Sequence, residues 1–305
     1  MRRFAIKLAL FLAANAAAAA VALAFIDARY GFAQFETDSI LLSMPREENV
    51  GLLIMGTSRA RLLTRVKCNL ESLELATGLS TFNIAVPFGG GIVPSKMYLE
   101  QFYRRGNSAD TILFFLDLFT MYSHQYNRDH RFVYYEPLRP SFLLAMVRND
   151  IPIRRVFIYI QSKFSGRWIS QTPLPVHCEY HVIEAPDPEI ARLREESLYP
   201  DGVDNEIFAH YAKTLIDILE MAKKDGANVI IAFPPTMLGP QPGSEHLLGL
   251  LEQVKADYPV EFHDFTDVIT DTALFLDYDH INSYGVELFV EQHLAPILRQ
   301  KPHSP

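Results

Sequence analysis

Cysteine is scarce in this chain of 305 residues: there are two, Cys68 and Cys178. Neither lies in a spacing that ligates zinc. They could close one disulfide in an oxidising compartment, but sequence does not fix their separation. Histidine supplies no metal motif either. His124 and His130 are six apart, and the dense run His177-Cys178-His181 matches no zinc pattern, so no metal site is expected. Tryptophan occurs once, at Trp168, and a single tryptophan reads as core rather than as a ligand platform. Basic residues are outnumbered, 28 against 36 acidic, for a net charge of -8. That balance excludes a nucleic-acid partner, which needs a basic face. Low-complexity tracts and internal repeats are missing. So is the glycine and lysine spacing of a phosphate-binding loop, and no cofactor is expected.

What is present is enough apolar residue, 49% of the chain, to bury a full core as one large domain with appendages. The amino terminus is basic at Arg2, Arg3 and Lys7, and residues 8–26 are apolar except for Asn15. Roughly 19 residues at 1.5 Å each nearly match a hydrocarbon core of about 30 Å. This predicts a membrane anchor over 1–27 with its amino end cytoplasmic and the rest of the chain extracytoplasmic, in a periplasm for a Gram-negative source. A cleaved signal peptide is the rival reading, but the apolar run exceeds a signal core and Phe25-Ile-Asp-Ala-Arg29 is a poor cleavage context. Residues 28–48 read as a connector with one helical turn near 38–43.

From Asn49 the chain alternates strand and helix, the pattern of a parallel sheet covered on both faces. Strands are predicted at 50–55, 81–86, 111–116, 229–233 and 260–262, the third central because it is almost wholly apolar. Helices are predicted at 60–75, with Arg59, Arg61 and Arg65 outward, and at 92–104, 205–224, 244–255 and 283–298. Residues 118–204 break the rhythm and read as an insertion over the strand ends, with helices near 141–147 and 153–163. The α/β domain therefore spans 49–298, with a tail at 299–305.

Two stretches carry chemistry. Val50-Gly-Leu-Leu-Ile-Met-Gly-Thr-Ser-Arg59 is an apolar strand that stops at Gly56 and offers Ser58 to the crevice at the strand's carboxyl end. Leu276-Asp-Tyr-Asp-His-Ile-Asn-Ser-Tyr-Gly285 precedes the last helix. A serine hydroxyl needs a base to take its proton, and the base needs a third group to hold its tautomer. His280 fits the base and Asp277, three residues earlier, fits the orienter. Asp279 is a poorer orienter because adjacent side chains diverge.

Gly56-Thr-Ser-Arg59, Asn83 with Gly89-Gly-Gly91, and Asp277-Tyr-Asp-His280 resemble the blocks of the SGNH (GDSL-like) hydrolase superfamily. The likeness covers about residues 49–298 outside the insertion, and is nearest to membrane-anchored extracytoplasmic branches that act in acylation of cell-envelope polymers. It implies a three-layer α/β/α fold, SGNH/flavodoxin-like, with a mainly parallel five-stranded sheet. It implies Ser58 as nucleophile, His280 as general base and Asp277 as its orienter. The oxyanion hole would use Ser58 N–H with Gly89 or Gly90, and Arg59 and Asn83 would contact substrate. The partners implied are an acylated envelope glycan and a membrane-bound acyltransferase. The third block departs from the family: Asp117-Leu-Phe-Thr120 stands where Gly-x-Asn-Asp is expected. An ionised Asp117 would repel an oxyanion, and Asn127 is ten residues further on. Hydrolysis, acyl transfer and a non-catalytic binding role all stay open on sequence.

Overall fold

The computed structural model describes residues 2–29, 36–86, 90–129, 131–165, 174–183 and 186–300. Five parallel strands form one sheet: β1 (Asn49–Met55), β2 (Thr81–Asn83), β3 (Ser108–Phe115), β4 (Asn228–Phe233) and β5 (Val260–Asp264), in the order β2-β1-β3-β4-β5. The five predicted strands are all present and β3 is central. This is the flavodoxin-like order, in which the chain reverses its winding between β1 and β3 and leaves a crevice at their carboxyl ends.

The period of two along each strand sorts side chains between two cores. Leu53, Met55, Ile112, Phe114, Val229 and Ile231 point into one. Leu52, Ile54, Leu113, Phe115, Ile230 and Ala232 point into the other. The helices, in chain order, are α1 (Arg2–Arg29), α2 (Ile40–Ser43), α3 (Leu70–Thr77), α4 (Ile92–Arg104), α5 (His124–Asn127), α6 (Pro140–Arg148), α7 (Ile153–Ser162), α8 (Pro188–Leu198), α9 (Asn205–Asp225), α10 (Ser244–Val254), α11 (Ser283–Phe289) and α12 (Ala295–Leu298). The first core packs α4, α9 and α10 against the sheet, with α2, α6 and α7 outside them. The second packs α3, α11 and α12, joined by a π-helical turn at Val290–Leu294. α9 shows how local sequence sets its ends. Asp204 accepts from Glu206 N at 2.7 Å and Ile207 N at 3.0 Å, and Gly226 takes the left-handed conformation that stops the helix.

The helix predicted at 60–75 is instead a 3₁₀ turn, Ala60–Leu62, followed by a looped segment and α3. Within the interruption Cys68 is bonded to Cys178 and has a φ of 67°, a left-handed conformation that a continuous right-handed helix cannot contain. Strand β2 is shorter than its apolar run, although Ile84 N and Val86 N still donate to Ile54 O and Gly56 O, both at 2.9 Å. Between β3 and β4 lie the predicted helices at 141–147 and 153–163, as α6 and α7, together with α5 and α8.

The anchor expected over 8–26 is corrected. The stretch is helical, inside α1, but among the described residues no helix is long and apolar enough to cross a membrane. Asn15 interrupts its apolar character, and residues 16–20 are alanines, each adding a single methyl to the transfer energy.

Candidate active site

Strand β1 ends at Met55, and the chain turns sharply at Gly56, whose φ is 143°. A Cβ there would stand 2.6 Å from Phe115 O and 2.8 Å from Ala60 Cβ, so only glycine lets β1 leave the sheet this close to β3. The turn delivers Ser58, which is exposed, to the crevice. On the other side, residues 275–281 form a tight loop closed by an antiparallel bridge between Phe275 and Ile281. Asp277 organises its tip. One carboxylate oxygen accepts from Asp279 N and His280 N, both at 2.9 Å. Asn282, fully buried, caps α11 by accepting from Gly285 N at 3.0 Å and donates to Ala273 O at 2.8 Å.

The two stretches meet. Ser58 Oγ lies 2.8 Å from His280 Nε2, and His280 Nδ1 lies 2.9 and 3.1 Å from the two oxygens of Asp277. Burial opposes ionisation of Asp277. The hydrogen bond and charge of His280, with the amides of Asp279 and His280, outweigh it and hold the carboxyl down at about 2. An ionised carboxylate only accepts, so Nδ1 carries the proton and Nε2 is the acceptor for Ser58 O–H. His280 is likewise a balance. Burial lowers its pKa, but the hydrogen bond His280 donates to Asp277 and the charges of Asp279 and Asp277 raise it above the ordinary value.

Arg59 was expected on an exposed helix face and in contact with substrate; it is instead 7% exposed. Its Nε sits 3.0 Å from Asp117, and its Nη2 sits 3.7 Å from Asp279. Thr57 O–H donates to the second oxygen of Asp117. Asp117 is therefore the buried counter-ion that clamps the residues on both sides of Ser58, which explains a carboxylate where an oxyanion donor was sought. Asp279 does not orient His280 either. Both its oxygens accept from Arg194 at 2.8 Å, tying α8 to the loop.

Asn83 does not face the crevice. Its amide donates to Ala60 O and Leu63 O at 2.8 and 2.9 Å, and its oxygen accepts from Ala85 N at 2.8 Å, so it braces the turn beneath Ser58. Asn127 is similarly spent, accepting from Val93 N and donating to Thr120 O and Ser123 O. A Cβ at Gly91 would stand 2.4 Å from the Asn127 oxygen, so this asparagine seats the glycine segment rather than the oxyanion. Gly90 is buried; Gly89, Trp168 and His130 lie outside the described residues. Asp277, Asp279 and His280 bring three ligand-type atoms within 4.8 Å of one another, but each is already bound to a neighbour in the arrangement above.

Sequence reasoning missed a strap. Leu174 N donates to Glu36 O and His177 N to Val66 O. Cys178 is bonded to Cys68. Glu179 and Ser283 exchange hydrogen bonds, Ile183 N donates to Phe275 O, and Asn282 Nδ2 reaches His181 O. The segment 174–183 thus links the chain just after Ser58 to the loop that carries His280. The cysteine pair was the one signal for it.

Fold and site together define a class: a parallel α/β protein with a Ser-His-Asp arrangement at the carboxyl ends of its strands. No family model matches the chain, and no curated protein matches it. Among solved structures it is similar to a candidate acylhydrolase from Bacteroides fragilis, at 11% identity over 84% of this chain and 93% of that one, with a TM-score of 0.38. That likeness is too distant to carry a functional argument.

Proposed function

We propose that the protein is a serine-dependent esterase or O-acyltransferase. The observation that carries this reading is the contact of Ser58 Oγ with His280 Nε2 at 2.8 Å, with Asp277 on the opposite ring nitrogen. In the proposed reaction Ser58 Oγ attacks an acyl carbonyl while its proton passes to Nε2. The imidazolium formed is stabilised by Asp277. Collapse of the tetrahedral species breaks the ester bond, and the leaving alcohol takes the proton from Nε2. A second hydroxyl then attacks this ester, giving its proton to His280 Nε2; collapse breaks the bond between the acyl carbon and Ser58 Oγ, and Oγ takes the proton back from Nε2. Water makes the protein a hydrolase, and a sugar hydroxyl makes it a transferase. Ser58 N–H, which donates to no backbone carbonyl among the described residues, is one oxyanion donor, and a glycine amide of 89–90 is the proposed second.

The resemblance of the sequence blocks points to acyl, chiefly acetyl, esters of an envelope polymer, with a membrane-bound acyltransferase as a partner. The Cys68–Cys178 disulfide supports an extracytoplasmic setting. A second reading, a binding module that works with such an acyltransferase, draws on the carboxylate of Asp117 in the third-block position.

The two readings separate cleanly in one experiment. A fluorophosphonate is expected to label Ser58 in the wild type and not in Ser58→Ala, with release of acetate from a synthetic ester lost in parallel. Folded wild-type protein that takes no label and releases no acetate would sink the enzymatic reading.

A further inference from the structure

Two residues, Tyr278 and Asp279, separate Asp277 from His280, and both are held from outside their loop by one element. The Tyr278 hydroxyl accepts from Asp187 N at 2.7 Å and donates to Asp187 O at 3.1 Å. Asp187 caps α8, its carboxylate accepting from Glu189 N at 2.8 Å. About two turns further along the helix, Arg194 donates through Nε and Nη2 to the two oxygens of Asp279, both at 2.8 Å.

Apolar packing does little to seat α8. Of its eleven residues only Leu198 is buried, and Ile190 and Leu193 stay exposed. Its other arginine, Arg192, is spent on Glu189 and Glu196 of the same helix. Arg194 instead leaves the helix for a carboxylate whose side chain is 4% exposed. Two parallel bonds from a planar guanidinium fix that carboxylate in angle as well as in distance.

The carboxylate so fixed stands beside both halves of the triad. Asp279 lies 3.9 Å from His280 Nδ1 and 3.7 Å from Arg59 Nη2, and Arg59 Nε lies 3.0 Å from Asp117. A line of alternating charge, Arg194, Asp279, Arg59 and Asp117, therefore runs from α8 past His280 to the residue that follows Ser58. Neutralising a buried acid explains the Arg194 ion pair alone. It does not explain why the same helix also grips Tyr278, so that the whole span between the triad's acid and its base is held from α8.

We infer that Arg194 is a positioning residue for His280, acting through Asp279 and together with the Asp187–Tyr278 contact to keep the base seated against Ser58. The inference rests on the reading of Ser58 as the nucleophile.

The test uses the full chain, with Arg194→Gln and Arg194→Lys beside the wild type. Fluorophosphonate labelling of Ser58 is measured on the high-pH plateau, where His280 is neutral, so that a lost rate reports alignment and not protonation. The rate should fall about tenfold or more in Arg194→Gln, the scale of loss when reacting groups are slightly misplaced. Arg194→Lys should fall between, because it keeps the charge but only as a point donor. The titration of His280, followed by imidazole NMR, gives a second readout. Asp277 and Asp279 on its own loop and Arg59 from the turn after β1 bear on it. Without Arg194 the charge of Asp279 is less neutralised, so the midpoint should move to higher pH in Arg194→Gln and by less in Arg194→Lys. Wild type that labels, with a folded Arg194→Gln that labels as fast or whose His280 midpoint is unmoved, overturns the inference alone. So does a loss of rate that only follows the folded fraction seen by circular dichroism. Folded wild type that takes no label removes the reading of Ser58, and the inference with it.

Discussion

Asp277 illustrates how one residue serves both the loop and the chemistry: the oxygens that fold the turn also fix the tautomer of His280. Asp277→Asn should therefore lower kcat/KM by about 10² to 10⁴, the range of losses when a triad's orienter fails. The pH profile adds a readout that a merely structural loss would not give. The base works when neutral, so activity should rise with pH through a midpoint above the ordinary histidine value of about 6.5. Removing the carboxylate takes away the main influence raising His280, so the midpoint of the variant should move down. For stability the signs differ. His280, raised in the fold, stabilises most at low pH and loses that contribution as pH rises through its folded value; Asp277, lowered, stabilises above its unfolded value and loses it as pH falls through about 2. Ser58, Asp277 and His280 were legible because nucleophile, base and orienter chemistry restricts residue type and local spacing. Arg59 and Asp117 were not, because an ion pair between residues 58 apart in sequence leaves no local pattern. With side chains 5% and 0% exposed, Arg59→Met strands a buried carboxylate. It should cost about 3–5 kcal/mol of stability, read as a lower urea midpoint with an unchanged slope.

At the scale of elements, strands and long helices were legible from periodicity, while what holds the site elements in register was not. The helix expected at 60–75 is interrupted over residues 63–69, and this segment carries Cys68 with its bond to residue 178, a long-range link that no propensity argument could have found. That bond and the hydrogen bonds around it make 174–183 a brace between the Ser58 side and the His280 loop. Cys68→Ser with Cys178→Ser removes a crosslink whose sequence separation is 110, and should cost about 2–5 kcal/mol. The brace also predicts an effect on chemistry. If it holds Ser58 and His280 together, the double variant should lose fluorophosphonate labelling rate at temperatures where its circular dichroism is still native. A labelling rate that follows only the folded fraction would reduce the bond to a stabiliser.

For the molecule as a whole, the question is where the independently folding unit begins. A strand-helix rhythm starting at Asn49 suggests a cut there, but the structure ties the preceding residues into the core. Glu36 accepts from Arg65 N at 3.0 Å and Val66 N at 2.9 Å, just beyond the turn that carries Ser58. Glu136, fully buried, accepts from Ser39 Oγ, Ile40 N, Leu41 N and Tyr98 O–H at 2.5 to 3.1 Å. Ile40, Leu41 and Met44 fill the core shared with α4. By contrast, every described side chain of α1 is exposed. A fragment beginning at Glu36 should thus unfold within about 1 kcal/mol of the full chain and label at Ser58 with an unchanged rate, since it keeps every contact named above between residues 36–44 and the core. A fragment beginning at Asn49 removes three of the four hydrogen-bond donors to Glu136, leaving the Tyr98 hydroxyl and the nearby charge of Lys163. Lost hydrogen bonds to a charged group in the core cost about 1.5–3 kcal/mol each. Exposure of Ile40, Leu41 and Met44's partners adds roughly 1.5–3 kcal/mol for each apolar side chain lost from the core. Together these approach the whole stability of a typical domain, so the shorter fragment should be insoluble or unfolded at room temperature. Equal stability of the two fragments, measured by urea unfolding, would remove α2 from the folding unit and return the boundary to β1.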